Sequence, residues 1–221
     1  MRKFECMVLL TSALLAAGSQ AARAEVEFSV GVGYGHVSLD GSGGVFDERD
    51  GLRLEPRVSF NPVDAAPQLR LGFGLGISGY SHDVDGDDDG VIEVDDDTFI
   101  IGANDVETLT LLTPEFQLSW RQTFAADDEG RGWFVEPGVG VGAVVGQYWF
   151  GSSWWGWTDT DVSEWDATIS ARPFLRAGYQ SHRWLAGLEA SYLFGGSLAF
   201  TDDIGGDVRE WYVGGFFGGR W

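Results

Sequence analysis

Trp133-Phe134-Val135-Glu136-Pro137-Gly138-Val139-Gly140-Val141-Gly142-Ala143-Val144-Val145-Gly146 is the stretch that decides the fold. Trp133, Val135, Pro137, Val139, Val141, Ala143 and Val145 form one row, and Glu136, Gly138, Gly140, Gly142 and Gly146 form the other. A period of two is that of a β-strand, whose successive side chains point to opposite faces. A helix would scatter the valines around its whole circumference. The stretch is also long enough to cross a bilayer, which a tilted strand does in about 9–11 residues.

The alternation recurs on both sides of this stretch. Toward the N-terminus lie Val26, Phe28, Val30, Val32 and Tyr34; then Leu52, Leu54, Pro56, Val58 and Phe60; then Leu69, Leu71, Phe73, Leu75 and Ile77; then Leu112, Pro114, Phe116, Leu118 and Trp120. Toward the C-terminus lie Trp165, Ala167, Ile169, Ala171, Pro173 and Leu175; then Trp184, Ala186, Leu188, Ala190, Tyr192 and Phe194; then Trp211, Val213, Phe217 and Trp221. Between these residues stand Gly, Ser, Arg and Glu. The chain holds 33 Gly, 15 Phe and 10 Trp, and this interleaving of glycine with large apolar residues separates it from glycine-rich disordered chains, which lack aromatics. With the first stretch this makes eight strands and no sign of a second domain.

The connections alternate in length. About a dozen residues follow the first strand, then a short turn at Asn61-Pro62. A long acidic loop spans 81–106, followed by a short link at Asp127-Asp128-Glu129-Gly130. A loop over 148–163, a tight turn at Gln180-Ser181-His182 and a moderate loop from Thr201 to Asp207 complete the series. Long loops at one end and short turns at the other mark a transmembrane barrel. A soluble barrel would turn its large apolar row inward, leaving glycine rows on the outside to weaken strands for no gain. Inside a narrow barrel the same glycines make room for Arg and Glu. Tryptophans agree with the lipid-facing choice: Trp120, Trp133, Trp184 and Trp221 stand at turn ends, and Trp149, Trp165 and Trp211 at loop ends, as two interfacial girdles. The expected fold is all-β, a closed up-and-down eight-stranded antiparallel transmembrane β-barrel.

Residues 1–24 read as a cleaved signal peptide, and 25–221 as the barrel. Arg2 and Lys3 supply the positive start, Met7 to Ala17 the apolar segment, and Ala22-Arg23-Ala24 the cleavage site. Cys6, the one cysteine, falls in the signal, so disulfides and thiol chemistry are excluded from the mature chain. The chain has 14 basic and 34 acidic residues; the signal holds three and one of them, leaving 11 against 33 and a formal net charge of −22. That charge excludes nucleic acid as a partner and favours divalent cations or basic partners.

The eight-strand plan, the loop asymmetry and the closing segment Tyr212-Val213-Gly214-Gly215-Phe216-Phe217-Gly218-Gly219-Arg220-Trp221 resemble the small OmpA/OmpX/OmpW-like outer-membrane barrels. The resemblance implies residence in the bacterial outer membrane, contact with its lipid and lipopolysaccharide, a monomeric state, and a terminal aromatic, here Trp221, read by the barrel-assembly machinery. Most members of that group end in Phe.

Three sets of residues are functional candidates. Arg53, Glu55, Arg57, Glu115, Glu136, Arg172, Arg176 and Glu189 should converge inside the barrel, where charges must pair or stay wet. They form either a plug that fixes register or a gate that opens when pairs exchange. Asp85-Gly86-Asp87-Asp88-Asp89-Gly90-Val91-Ile92-Glu93-Val94-Asp95-Asp96 fits a calcium loop, with Asp85, Asp87, Asp89, the Val91 carbonyl, Glu93 and Asp96 as ligands to Ca2+. Asp96 departs from the usual bidentate Glu. The alternative is a disordered acidic tip that repels its neighbours. Trp149, Phe150, Trp154, Trp155 and Trp157 either contact headgroups, glycans or a partner, or extend the outer girdle.

Function is expected to be non-enzymatic, a surface barrel that braces the membrane and presents acidic loops. A narrow transport barrel for ions or small hydrophobic molecules, as in OmpW-like proteins, is the alternative. His36-Val37-Ser38 invites comparison with lipid A-modifying barrels, and both polar residues are in phase with the lipid-facing row. No acid is clearly placed in sequence to orient His36, and no phosphate loop, zinc pattern or cysteine nucleophile exists, so no catalytic residue is assigned.

Overall fold

A computed structural model describes residues 25–40, 48–63, 66–83, 91–94, 97–100, 105–127, 129–154, 157–200 and 205–221. Among these described residues eleven strands follow in order: β1 (Val26–Asp40), β2 (Glu48–Phe60), β3 (Leu69–Asp83), β4 (Val91–Val94), β5 (Asp97–Ile100), β6 (Asp105–Trp120), β7 (Gln122–Phe124), β8 (Gly132–Trp154), β9 (Trp157–Gln180), β10 (Trp184–Ala199) and β11 (Gly205–Arg220). Eight staves, β1, β2, β3, β6, β8, β9, β10 and β11, pair antiparallel with their sequence neighbours. The cylinder closes between β1 and β11, from Glu27↔Arg220 to Asp40↔Asp207. Val26 and Trp221 seal the seam by exchanging both backbone hydrogen bonds, at 3.0 and 2.9 Å. The short β7 continues β6 beyond Arg121 and pairs with the start of β8. A separate hairpin, β4–β5, lies within the acidic loop. The eight-stranded, all-antiparallel, up-and-down barrel expected from the alternation is the fold.

Closure pairs the first stave with the last and so removes the open sheet edge, which is what a bilayer demands of a spanning sheet. The apolar rows face outward: Leu52, Ile169, Leu188 and Phe217 are 70, 81, 68 and 65 % exposed. Trp120, Trp133, Trp184 and Trp221 ring the turn end, and Tyr34, Trp165 and Trp211 stand toward the other. Trp211 on β11 and Trp221 just past its end are ten positions apart. At about 3.3 Å per residue and a tilt of about 40°, the girdles are about 25 Å apart, the height of an apolar band on a membrane barrel.

Two strand ends differ from the sequence reading. The loop expected over 148–163 is instead a continuation of the wall, because β8 and β9 stay paired as far as Trp154↔Trp157. A register shift between Phe150 and Gly151 disguises this extension by breaking the alternation. Likewise β1 and β2 continue to Asp40 and from Glu48, leaving seven residues between them rather than a dozen.

Above the outer girdle the wall turns inside out. On β1 the inward row passes from Gly31, Gly33 and Gly35 to Val37 and Leu39, while the outward row passes from Val32 and Tyr34 to His36, Ser38 and Asp40. On β6 the inward Thr113 gives way to Leu111 and Leu109, and the outward Leu112 to Thr110 and Thr108. On β11 Tyr212 and Glu210 give way inward to Val208, and Trp211 outward to Arg209. Val37, Leu39, Tyr80, Leu109, Leu111, Val144, Tyr148, Leu193, Leu198, Phe200 and Val208 form one buried apolar core inside the upper barrel. A wall immersed in hydrocarbon puts its apolar row outside; a wall immersed in water puts it inside. The reversal therefore marks the height at which the barrel leaves the lipid.

Candidate functional site

The lumen within the apolar band is filled by two ionic layers. Every charged residue expected there is buried, and the structure brings all eight inside. In the upper layer Arg53, Arg57, Arg172 and Arg176 meet Glu55, Glu115, Glu189 and Glu210, four cations with four anions. Arg172 is its hub. It reaches Glu55 at 2.5 Å and Glu189 at 3.1 Å, and its Nε donates to Glu115 Oε2 at 3.0 Å. Arg172 Nη1 also donates to Ser191 Oγ at 3.0 Å. Glu210 accepts from Arg53, Ser78 and Tyr80 at 2.7, 2.7 and 2.6 Å, and so caps the layer beneath the apolar core.

The lower layer lies at the turn end. Arg121 donates to Glu27 and Glu136, each at 2.5 Å. Arg70 reaches Glu25 and Glu27 at 3.0 and 3.2 Å, and Arg220 reaches Glu25 and, at 3.1 Å, Glu27. Three cations again meet three anions. Between the layers Phe134, Phe174 and Phe216 make a shelf, with the guanidinium groups of Arg121, Arg57 and Arg176 at 4.5, 4.7 and 3.9 Å from their respective ring centres. Aromatic faces attract such cations, most strongly where water is excluded.

Glu27, Arg70, Arg121, Glu210 and Arg220 were not among the sequence candidates for this network. Each has the parity of the inward row, which is the signal that could have found them. Glycine makes the network possible. A Cβ on Gly76 would collide with Arg53 Nη2 and Thr113 Oγ1, and one on Gly140 with the Glu115 carboxylate. The rows of glycine are thus the volume in which the charged side chains lie.

The calcium-loop candidates are placed only in part. Val91 and Glu93 are on β4, whose backbone pairs with β5 through Val91↔Ile100 and Glu93↔Thr98. Asp85, Asp87, Asp89 and Asp96 lie outside the described residues, as does Trp155 of the aromatic loop.

The outer rim carries an arrangement that the sequence reading did not find. Its statement that no acid is placed to orient His36 is corrected by the register of the first hairpin. Asp50 stands directly opposite His36 on β2, and its Oδ1 is 2.7 Å from His36 Nδ1. The Tyr34 hydroxyl is also hydrogen-bonded to Asp50. Trp211, opposite His36 on β11, stacks on the imidazole with 5.5 Å between ring centres and 28° between planes. Asp50 is fourteen residues from His36, and only the pairing across the connection brings them together.

No family model matches the chain, and no curated protein does so. Solved structures of similar shape are outer-membrane proteins. The attachment invasion locus protein Ail of Yersinia pestis is 17 % identical, with a TM-score of 0.43 over 90 % of this chain and 99 % of that one. Neisserial surface protein A is 9 % identical, with a TM-score of 0.49 over 90 and 97 %. The outer membrane protease OmpT from Escherichia coli is 8 % identical, with a TM-score of 0.47 over 91 and 98 %. At these values the likeness is one of shape and assigns no role.

Proposed function

We propose that this chain is a bacterial outer-membrane barrel sealed to solutes, whose working surfaces are its outer rim and loops. The observation that carries the reading is the reversal of the wall. An apolar band faces outward around a charged lumen, and above it polar residues face outward around an apolar lumen. The lumen is closed twice, by paired charges and by packed aliphatic side chains, so the barrel braces the membrane and does not conduct. The apolar upper core favours a second reading, narrow passage of small hydrophobic molecules, which requires those side chains to part.

Two measurements test the main reading. Unboiled protein from outer-membrane fractions should run faster on an SDS gel than boiled protein, as a closed barrel does. In planar bilayers it should show no steady single-channel openings. A soluble periplasmic protein with a single unshifted band would reverse the assignment of the faces, and regular openings would make the ionic layers a gate. The acidic loop 81–106 is proposed to bind Ca2+ through Asp85, Asp87, Asp89, Val91, Glu93 and Asp96, with the weak affinity of extracellular modules. Trp221 is proposed as the assembly signal, and lipopolysaccharide as the neighbour of the rim.

A further inference from the structure

We propose that Ser38, His36 and Asp50 form a hydrolytic site on the outer wall, acting on ester-linked acyl chains of outer-leaflet lipids. His36 and Ser38 are two residues apart on β1 and share its outward face, about 6.6 Å apart along the strand. The imidazole Nδ1 is held by Asp50, the partner of His36, and its Nε2 lies 3.9 Å from a carboxylate oxygen of Glu48, the partner of Ser38. Nε2 is thus turned toward the level of the serine. An acid that fixes Nδ1–H and leaves Nε2 free to take a proton from a neighbouring hydroxyl is the arrangement that activates a serine. Trp211 stacks on the ring and sets its plane. Ser38 Oγ donates to Asp40 Oδ1 at 3.1 Å, so the proposed reaction requires the hydroxyl to leave Asp40 and turn to His36. Arg209, paired with Ser38 on β11, is held by Asp40 in an ion pair of 2.7 Å.

Height selects the substrate. Tyr34, Leu52 and Val213, the outward residues one step below, face lipid, and Ser38, Glu48 and Arg209 above belong to the polar wall. The site therefore stands where hydrocarbon ends and headgroups begin, the level at which the acyl esters of a bilayer lie. Ser38 and His36 are partly exposed on the outside of the barrel, so a lipid reaches them by lateral diffusion without entering the lumen.

The reaction balances with water as the co-substrate. Ser38 Oγ bonds to the ester carbonyl carbon as His36 Nε2 takes its proton. The carbon–oxygen bond to the lipid alcohol breaks, and the alcohol leaves with the proton from His36. Water then attacks the acyl-serine, giving up a proton to His36, and the fatty acid departs as that proton returns to Ser38. Asp50 touches no reacting atom and acts as a positioning residue for His36.

The test uses the full mature barrel, refolded and verified by its gel shift, in micelles containing either diacyl phosphatidylethanolamine or lipopolysaccharide. Released fatty acid is measured by mass spectrometry, and a fluorophosphonate probe is mapped on the protein. The expected result is probe on Ser38 and fatty acid from one of the two lipids, which identifies the source of the ester. Ser38→Ala should abolish both. His36→Asn should reduce release at least about 100-fold. Asp50→Asn should lower the release rate with little change in its dependence on lipid concentration, and Asp50→Glu should restore part of it. Folded wild-type protein that neither takes the probe at Ser38 nor releases fatty acid from either lipid overturns the proposal. Release that survives Ser38→Ala overturns it equally.

Discussion

Replacing Arg172 by Met should be among the most damaging single changes in the barrel, and replacing Glu115 by Gln in the same chain should repair much of the damage. Arg172 is 1 % exposed and serves Glu55, Glu115 and Glu189 at once. Glu55 keeps Arg53 and Arg57 when it is lost, and Glu189 keeps Arg57 and Arg176. Among the described residues Glu115 keeps the amide of Gln117 and no cation within an ion-pair distance. Removing one member of a buried pair costs about 3–5 kcal/mol, because the other remains charged without water. Glu115→Gln alone leaves Arg172 with two carboxylates and should cost about 1–2 kcal/mol, the value of a charge-assisted hydrogen bond. The double variant restores an equal number of cations and anions in the upper layer. Its loss should therefore fall below that of Arg172→Met alone, with a coupling of about 2 kcal/mol between the sites. The assay is urea unfolding in lipid vesicles followed by tryptophan fluorescence. Losses that simply add, or a single Arg172→Met variant within about 0.5 kcal/mol of wild type, would refute the view that these charges survive by mutual compensation.

The wall, the lumen, a turn and the acidic loop each yield a further expectation. Leu188→Arg, in the middle of the apolar band, should cost about 2–4 kcal/mol in vesicles, and Thr110→Arg, above the band, no more than about 1 kcal/mol; equal costs would misplace the lipid boundary. Gly76→Ala should lose about 1–3 kcal/mol through overpacking against Arg53 and Thr113, measured by the same unfolding curves. In the turn before β8 the Asp127 carboxylate accepts from the Arg131 backbone and side chain and from the Glu129 backbone, which holds its pKa below the usual 3.8. A lowered folded pKa stabilises the turn above the unfolded value and loses that contribution as pH falls through the folded one. Asp127 should accordingly titrate below 3.8 by NMR, with Arg131 amide exchange accelerating only below that midpoint. Calorimetric titration should give calcium heat that the double change Asp87→Ala and Asp89→Ala removes; no such heat would leave the loop as a solvated acidic tip.

Much of the fold was legible because lipid imposes a simple rule. Every second residue of a stave must be apolar, so Val26 to Tyr34 or Trp133 to Val145 declares its faces without any knowledge of neighbours. The inward charges were legible by the same parity. What parity does not contain is which residues on different staves meet. His36 and Asp50 are joined across Gly41-Ser42-Gly43-Gly44-Val45-Phe46-Asp47, whose glycines specify no particular turn and so no register. The register comes instead from the inward and outward rows of β1 and β2 having to align all the way down the wall. The upper core escaped for a related reason. Val37, Leu39, Leu109 and Leu111 carry the parity of the lumen but the chemistry of lipid, and a reader who expects one rule for a whole strand sees the alternation stop.

The reversal of the wall also explains why polar chemistry can stand beside the lipid at all. A histidine, an aspartate and a serine on the outward face of the band would each face hydrocarbon and be expelled or neutralised. Above the reversal the same face is in water or among headgroups, and polar residues there carry no such cost. The strand that supports them is meanwhile fixed from behind. Val37, between His36 and Ser38, is fully buried in the upper core, and Gly35, one step below, faces Tyr80 and Glu210 at the top of the ionic layer. The backbone beneath His36 and Ser38 is therefore gripped by both fillings of the lumen. A lumen filled by paired charges and packed aliphatic side chains supports a rigid wall, and a rigid wall is what the proposed outward-facing site needs to hold its side chains in place at a moving lipid surface.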